Sequence, residues 1–306
     1  MSSRTVGASR RLAGPVIVAG DDSEDVHSAV QTAQQLARRD GVGAFVVGAV
    51  RPLAIPPGTL SDADRRALDE ARRQQYLERL RQRVTRAVGV SGHFAVDVAL
   101  GRRSTVLARE ARKRAAAVMI AGIGRLGAEA RVPTEDATLQ LVLEADVPVV
   151  AVPSGSSLLP RRCLVAVDFG SASQSAARAA LLMLDGPSTV ILAHAHPPME
   201  DDDSAWYDAY DQQVARLLAE TATQLAKAGG ITIETVHLRG DPAAALLNAA
   251  RAAVVDLVAC GVEGAGADVA TPGIPETRHA GSTSLALIHR APCSVLVAPP
   301  ELAAAN

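Results

Sequence analysis

The chain has 306 residues and a formal net charge of −2; 48% of it is hydrophobic, but only 2% is aromatic. That length fits two domains of ordinary size, and the balanced charge gives no global drive toward nucleic acid or an anionic membrane. No apolar run approaches the ~20 residues that a membrane span requires, so the expectation is a soluble, cytoplasmic protein.

Residues 1–13 are basic but lack a long apolar stretch, so they read as a loose tail and not a secretory signal. The run Val16-Ile-Val-Ala-Gly-Asp21 reads as a buried strand ending on an aspartate. A Ser-containing turn and an Ala-rich helix over 24–39 follow. A second strand, Ala44–Val50, enters a loop with Pro52, Pro56 and Pro57. Next comes a long polar helix, with Leu68, Ala71, Leu77, Leu80, Val84 and Val88 as its apolar stripe and Ser61 with Asp64 as its cap. Arg72, Arg73, Arg79, Arg81 and Arg83 alternate with acids, which suits a solvated face. The third strand, Phe94–Leu100, stops at Gly101 before a helix over Ser104–Arg114. The fourth, Ala117–Ala121, stops at Gly122, and a loop and final helix lead to Val149–Val152.

After the Pro/Gly/Ser-rich stretch Pro153–Pro160 the same order begins again. Leu164-Val-Ala-Val-Asp168 precedes a helix over 172–185; Thr189–His194 runs into Pro197 and Pro198. A long helix follows with the stripe Val214, Leu217, Leu218, Thr221 and Leu225. Ile231–Leu238 ends near Gly240, Pro242 opens a helix to Ala252, Val255–Cys260 ends at Gly261, and Val295–Ala298 closes the copy. One βαβ-type unit is therefore written twice, as domains 14–153 and 161–300 joined by a linker over 154–160, with a tail over 301–306. Strands alternating with helices predict the α/β class, with a doubly wound parallel sheet in each domain.

In such sheets ligands sit beyond the carboxyl ends of the strands, where the strand order reverses. The candidates there are Asp21 and Asp168 after the first strands, and the glycine loops after the fourth. In the second copy that loop reads Gly261-Val-Glu-Gly264, then sixteen residues over Ala265–Ala280, then Gly281-Ser282-Thr283-Ser284 at a helix start. Glycines, free N–H groups at a helix N-terminus and the Ser282 and Ser284 hydroxyls would suit a phosphate. Gly-rich strand-to-helix turns also occur for purely structural reasons. The aspartates are equally two-sided, as helix caps or as partners of a nucleoside.

Val-Ala-Val-Asp168, Gly240-Asp-Pro-Ala, Asp256-Leu-Val-Ala-Cys-Gly261-x2-Gly264, Gly281-Ser282 and Ala291-Pro-Cys-Ser-Val-Leu-Val297 together resemble the universal stress protein family, in its tandem form. The resemblance covers nearly the whole chain. It implies a Rossmann-like fold of the adenine-nucleotide alpha-hydrolase type, with a five-stranded parallel sheet in each domain. In ATP-binding members the motif Gly-x2-Gly-x9-Gly-(Ser/Thr) follows strand four. Carried over, it assigns Asp168, Ala195, Gly261, Gly264, Gly281 and Ser282 to nucleotide, with Gly240, Thr283 and Ser284 beside them. The implied ligand is ATP, and the resemblance allows Mg2+ with it. The spacer here is sixteen residues and contains Pro272 and Pro275. In the first copy Arg125 stands at the second glycine position, and Glu135 and Asp136 stand where Gly-Ser is expected. Carboxylates there repel triphosphate, so the first domain is expected not to bind it. The resemblance also implies that the two domains pair through their last strands, and it allows a further homodimer.

Other residues point less clearly to chemistry. Cys163, Cys260 and Cys293 sit in or beside apolar runs without a CxxC, as small core residues do. His194 and His196 share a strand face, but no third metal ligand is evident. Asp201, Asp202 and Asp203 suit a solvated helix start, and Trp206, Tyr207 and Tyr210 suit core packing, a lid or a partner contact. No nucleophile–base–acid spacing is present, so a regulatory protein is expected and not an enzyme, with slow ATP hydrolysis the weaker alternative. A nucleotide-free interaction scaffold is the competing expectation.

Overall fold

The computed structural model describes residues 10–21, 23–56, 59–89, 94–123, 137–156, 159–196, 204–262 and 281–300, with only the backbone at 137 and 204–206. The chain divides into two compact units, one spanning Leu12–Leu158 and the other the remainder. They are called the first and second domains below.

In the first domain the elements are β1 (Val16–Gly20), α1 (Val26–Asp40), β2 (Ala44–Val50), α2 (Asp62–Val88), β3 (Ala95–Leu100), α3 (Arg103–Lys113), β4 (Val118–Ile123), α4 (Ala137–Glu144) and β5 (Val149–Pro153). The strand order is β3-β2-β1-β4-β5, and every pairing is parallel. The second domain has β6 (Arg162–Ala166), α5 (Ser171–Met183), β7 (Ser188–His196), α6 (Ser204–Ala226), β8 (Ile231–Arg239), α7 (Pro242–Ala252), β9 (Leu257–Gly261), α8 (Ser282–Arg290) and β10 (Ser294–Ala298). Its strand order, β8-β7-β6-β9-β10, repeats the first and is also all parallel. The order reverses between β1 and β4 in one domain and between β6 and β9 in the other.

Parallel sheets covered on both faces need strands that are apolar throughout. All five residues of β1 and all five of β5 are buried. The first crossover helices lie close because they present small residues: Ala29, Val30 and Ala33 on α1, and Ala176, Ala177 and Ala180 on α5. A Cβ on Gly122 would lie 2.2 Å from the Asp25 carbonyl oxygen, and one on Gly261 would lie 2.6 Å from the Ala172 carbonyl carbon. Both strand-four glycines are thus fixed by the backbone of the first helix pressing on them. The positive φ of Gly101 and Gly240, +144° and +127°, recurs at the end of strand three in each copy.

Several boundaries and faces differ from those predicted. Helices α1 and α5 are shifted by one or two residues from 24–39 and 172–185. Strand β7 continues two residues past His194, to His196. On α2 the Ser61 side chain accepts from the Asp64 N–H at 3.1 Å, as expected of the cap. The buried stripe, however, is Asp69, Leu77, Leu80, Val84 and Ala87, and Leu68 is 44% exposed. Asp69 takes the inward position because its carboxylate accepts the Leu53 N–H at 3.0 Å, which ties down the Pro-containing loop. The amino-terminal stretch is anchored from residue 10 on. Arg10 donates to the Gly186 carbonyl and Ser188 hydroxyl of the second domain, and Leu12 is buried in the first. Among the described residues no helix is long and apolar enough to cross a membrane.

Candidate functional site

The carboxyl ends of β6, β7 and β9 lie side by side, because β6 pairs with both neighbours. That edge brings together Asp168 after β6, Ala195 within β7, Gly261 at the end of β9, and Gly281–Ser284 at the start of α8. Gly264 lies outside the described residues, as do Ala265–Ala280.

Two helix N-termini open onto this edge. Gly170 precedes α5 and Gly281 precedes α8, both in extended conformations and neither with a side-chain cap. Glycine at these positions leaves the first-turn N–H groups without an internal acceptor, a setting that favours anions. Asp168 does not cap α5. Its Oδ1 accepts the Gly170 N–H at 2.9 Å, closing the turn before the helix, and the residue is exposed. Phe169 crosses that turn at a φ of +66°, a conformation an L side chain rarely adopts. Asp168 forms no ion pair among the described residues.

Several of the expected residues have structural partners of their own. The Ser284 hydroxyl, expected to donate to phosphate, is buried and donates to the Gly261 carbonyl at 2.7 Å, fastening α8 to β9. Gly261 is required by the approach of α5. Gly240 follows β8, beyond β7 from β6, and its N–H donates to the His196 carbonyl at 2.9 Å. Ser282 and Thr283 begin α8 after Gly281, which makes no side-chain cap bond.

At the corresponding edge of the first domain, Asp21 is engaged. Its Oδ1 accepts from the backbone N–H and hydroxyl of Ser23, and its Oδ2 lies 3.0 Å from the Arg103 guanidinium. Arg103 is the first residue of α3; the matching residue of α7, two beyond the strand-three glycine, is Pro242. The first domain thus pairs its aspartate with an arginine at a position where the second carries Pro242. Arg125, Glu135 and Asp136, together with Gly124 and Gly127, lie outside the described residues.

Beside the second edge is a polar cluster only partly foreseen. His194 Nδ1 donates to the Val167 carbonyl at 2.7 Å, so its Nε2 accepts from the Tyr210 hydroxyl at 2.9 Å. The Phe169 ring stacks at 5.0 Å from His194. His196 lies 4.9 Å, ring to ring, from His237. Asp211 Oδ1 is 3.3 Å from His237 Nδ1, and its other oxygen bonds Arg239, whose guanidinium lies over Tyr207. Burial pulls His237 below the usual histidine range, opposed by the Asp211 charge. The His194–His196 alternation signalled this cluster. The roles of His237 and Asp211 required the β7–β8 register and the face of α6. Asp201–Asp203 and the Trp206 side chain lie outside the described residues.

A twice-wound parallel domain with this edge defines the class. The sequence profile of the universal stress protein family matches residues 13–153 and 160–299, and the chain belongs to that family as a tandem two-domain member. The fold is shared with a universal stress protein from Archaeoglobus fulgidus, at 18% identity and a TM-score of 0.60 over 94% of this chain and 99% of that one. It is likewise shared with a functionally unknown protein from Pseudomonas aeruginosa PAO1, at 14% identity and a TM-score of 0.55 over 95% and 94%. A universal stress protein from Archaeoglobus fulgidus in complex with dAMP matches 46% of this chain and 98% of its own, at 20% identity and a TM-score of 0.28. No curated protein sequence is a match to this chain.

Proposed function

We propose that this chain is a stress-response regulator whose second domain binds an adenine nucleotide, ATP in the first instance, while its first domain does not. The observation that carries the reading is the contrast between the two edges. In the second domain a carboxylate with no ion pair among the described residues lies beside two helix starts without side-chain caps. In the first, the equivalent carboxylate is closed by Arg103. In this reading Asp168 hydrogen-bonds the nucleoside, the β7 backbone at Ala195 contacts it, and the N–H groups of Gly281, Ser282 and Thr283 with the Ser282 hydroxyl receive phosphate. Any Mg2+ would arrive on the phosphate oxygens. Binding would alter conformation or partner choice without turnover.

Equilibrium titration with ATP tests this. Saturable binding is expected, with Gly281→Glu abolishing it by placing a carboxylate at the anion position. Asp168→Ala should weaken binding by about 10- to 100-fold, as expected for a lost hydrogen bond to a charged group. Absence of saturation up to millimolar ATP would contradict the proposal.

A second reading has its own support. Gly261 and Ser284 are explained by packing alone, as a nucleotide-free interaction scaffold would require. Under that reading Gly281→Glu changes neither a co-purifying ligand nor ATP affinity, because neither exists.

A further inference from the structure

The two copies can be superposed residue by residue through their strand registers. In the first, Ala19 pairs with Val47, and Gly48 with Val98. In the second, Ala166 pairs with Ala193, and His194 with His237. With Asp21 set against Asp168, the positions of Gly48, Val50 and Val98 become His194, His196 and His237. On the crossover helices, buried Leu80 and Val84 match buried Val214 and Leu218, so Tyr76 matches Tyr210 and Leu77 matches Asp211.

The first copy fills this space as a core does. Val50, Leu77 and Val98 are buried, and Tyr76 lies against Gly48, where a Cβ would come within 2.6 Å of its ring. The Tyr76 hydroxyl reaches toward the Gly20 carbonyl at 3.4 Å. In the second copy His194 is inserted between the matching tyrosine and carbonyl, and both its ring nitrogens are used there. The fold does not need polar groups at these positions, since one copy stands without them. Three apolar residues have been exchanged together for two imidazoles and a carboxylate.

We propose that His196, Asp211 and His237 form a binding site for a divalent transition metal of the zinc class in the second domain. Each offers one donor atom, and the three donors lie within 4.8 Å of one another. Ligands on a tetrahedral zinc at about 2.0–2.2 Å stand about 3.4 Å apart, so closure is a movement on the order of 1 Å. Among the described residues, buried His237 Nε2 and Asp211 Oδ1 have no hydrogen-bond partner, although Oδ1 lies 3.3 Å from His237 Nδ1. Orphaned buried polar atoms of this kind call for an ion or water. Two imidazole nitrogens and one carboxylate suit zinc, whereas magnesium and calcium prefer all-oxygen shells. Arg239 holds the second Asp211 oxygen and orients the carboxylate, as outer partners of metal ligands do. Three protein ligands leave a coordination position for water or another ligand. Neither the geometry nor its test depends on nucleotide.

The test uses the untagged full-length chain, stripped with chelator, freed of nucleotide and titrated with zinc chloride. Bound metal is counted by elemental analysis after removal of excess. One zinc per chain is expected, with at least tenfold weaker binding in His196→Val and His237→Val. Valine is what the first copy carries at both positions, so these variants should keep the wild-type circular dichroism. Asp211→Asn preserves shape while removing the charge, and its affinity should also fall at least tenfold. Wild-type protein that takes up no zinc at micromolar concentration would overturn the proposal. So would any of these variants binding zinc as tightly as wild type.

Discussion

The thiols of Cys163, Cys260 and Cys293 are unpaired, and burial governs their chemistry. Desolvation pushes Cys260 and Cys293 up to about 12 and Cys163 further, against an ordinary value near 8.5. In native protein at pH 8 a thiol-disulfide indicator should therefore leave buried Cys163 and Cys260 unlabelled and react slowly with half-buried Cys293, and label all three after denaturation. These groups stay protonated in the folded chain while the unfolded chain releases the protons first. Their effect on stability is thus nil below pH ~8.5, and stability falls as pH rises from there toward 12. The ceiling is about 1.4 kcal/mol per thiol per pH unit. With only Lys113 and Lys227 as lysines, few other groups share that range. A denaturant midpoint measured from pH 7 to 10.5 should fall accordingly, and a flat profile would contradict burial of the thiols. At Val254 the strain is conformational: its φ is +48° and the residue is 79% exposed. Val254→Gly should relieve an αL penalty with little packing to lose, raising stability by about 1 kcal/mol. A lower melting temperature in that variant would exclude this account.

At the level of elements, each first crossover helix bears on the last residues of strand four. Gly122→Ala and Gly261→Ala should each destabilise their domain by about 2–3 kcal/mol, because the colliding atoms are backbone and cannot swing away. Calorimetry on both variants checks this, and a neutral Gly261→Ala would return that glycine to a purely ligand-facing role. Strand runs, strand-end glycines and the Ser61 cap were legible in the sequence because each is a local signal. The inward turn of Asp69 was not, since it depends on the distant Leu53 N–H. Nor was the engagement of Asp21, since Arg103 lies eighty-two positions away and meets it only once β3 is in place. The His196, Asp211 and His237 group proposed to hold metal fell between these cases: alternation on β7 showed two histidines, but the group's members come from two strands and a helix. Ser284 reads as a phosphate donor from spacing, and only the fold shows the Gly261 carbonyl waiting for it.

For the whole molecule, duplication has preserved the fold and let the edges diverge. The strand order recurs without exception, yet at the switch point one copy pairs its aspartate with an arginine, while the other's aspartate forms no ion pair among the described residues. Residues beyond the strand ends are the freest to change, and part of the interior has changed with them: buried Val50, Leu77 and Val98 of the first copy stand where the second has His196, Asp211 and His237. Functional asymmetry is therefore expected: one nucleotide per chain, not two. Calorimetric titration of the full-length chain with ATP is the most direct measurement. One site per chain is expected, lost in Gly281→Glu and unchanged in Asp21→Ala. Two sites per chain, no saturation up to millimolar ATP, or undiminished binding in Gly281→Glu would contradict it.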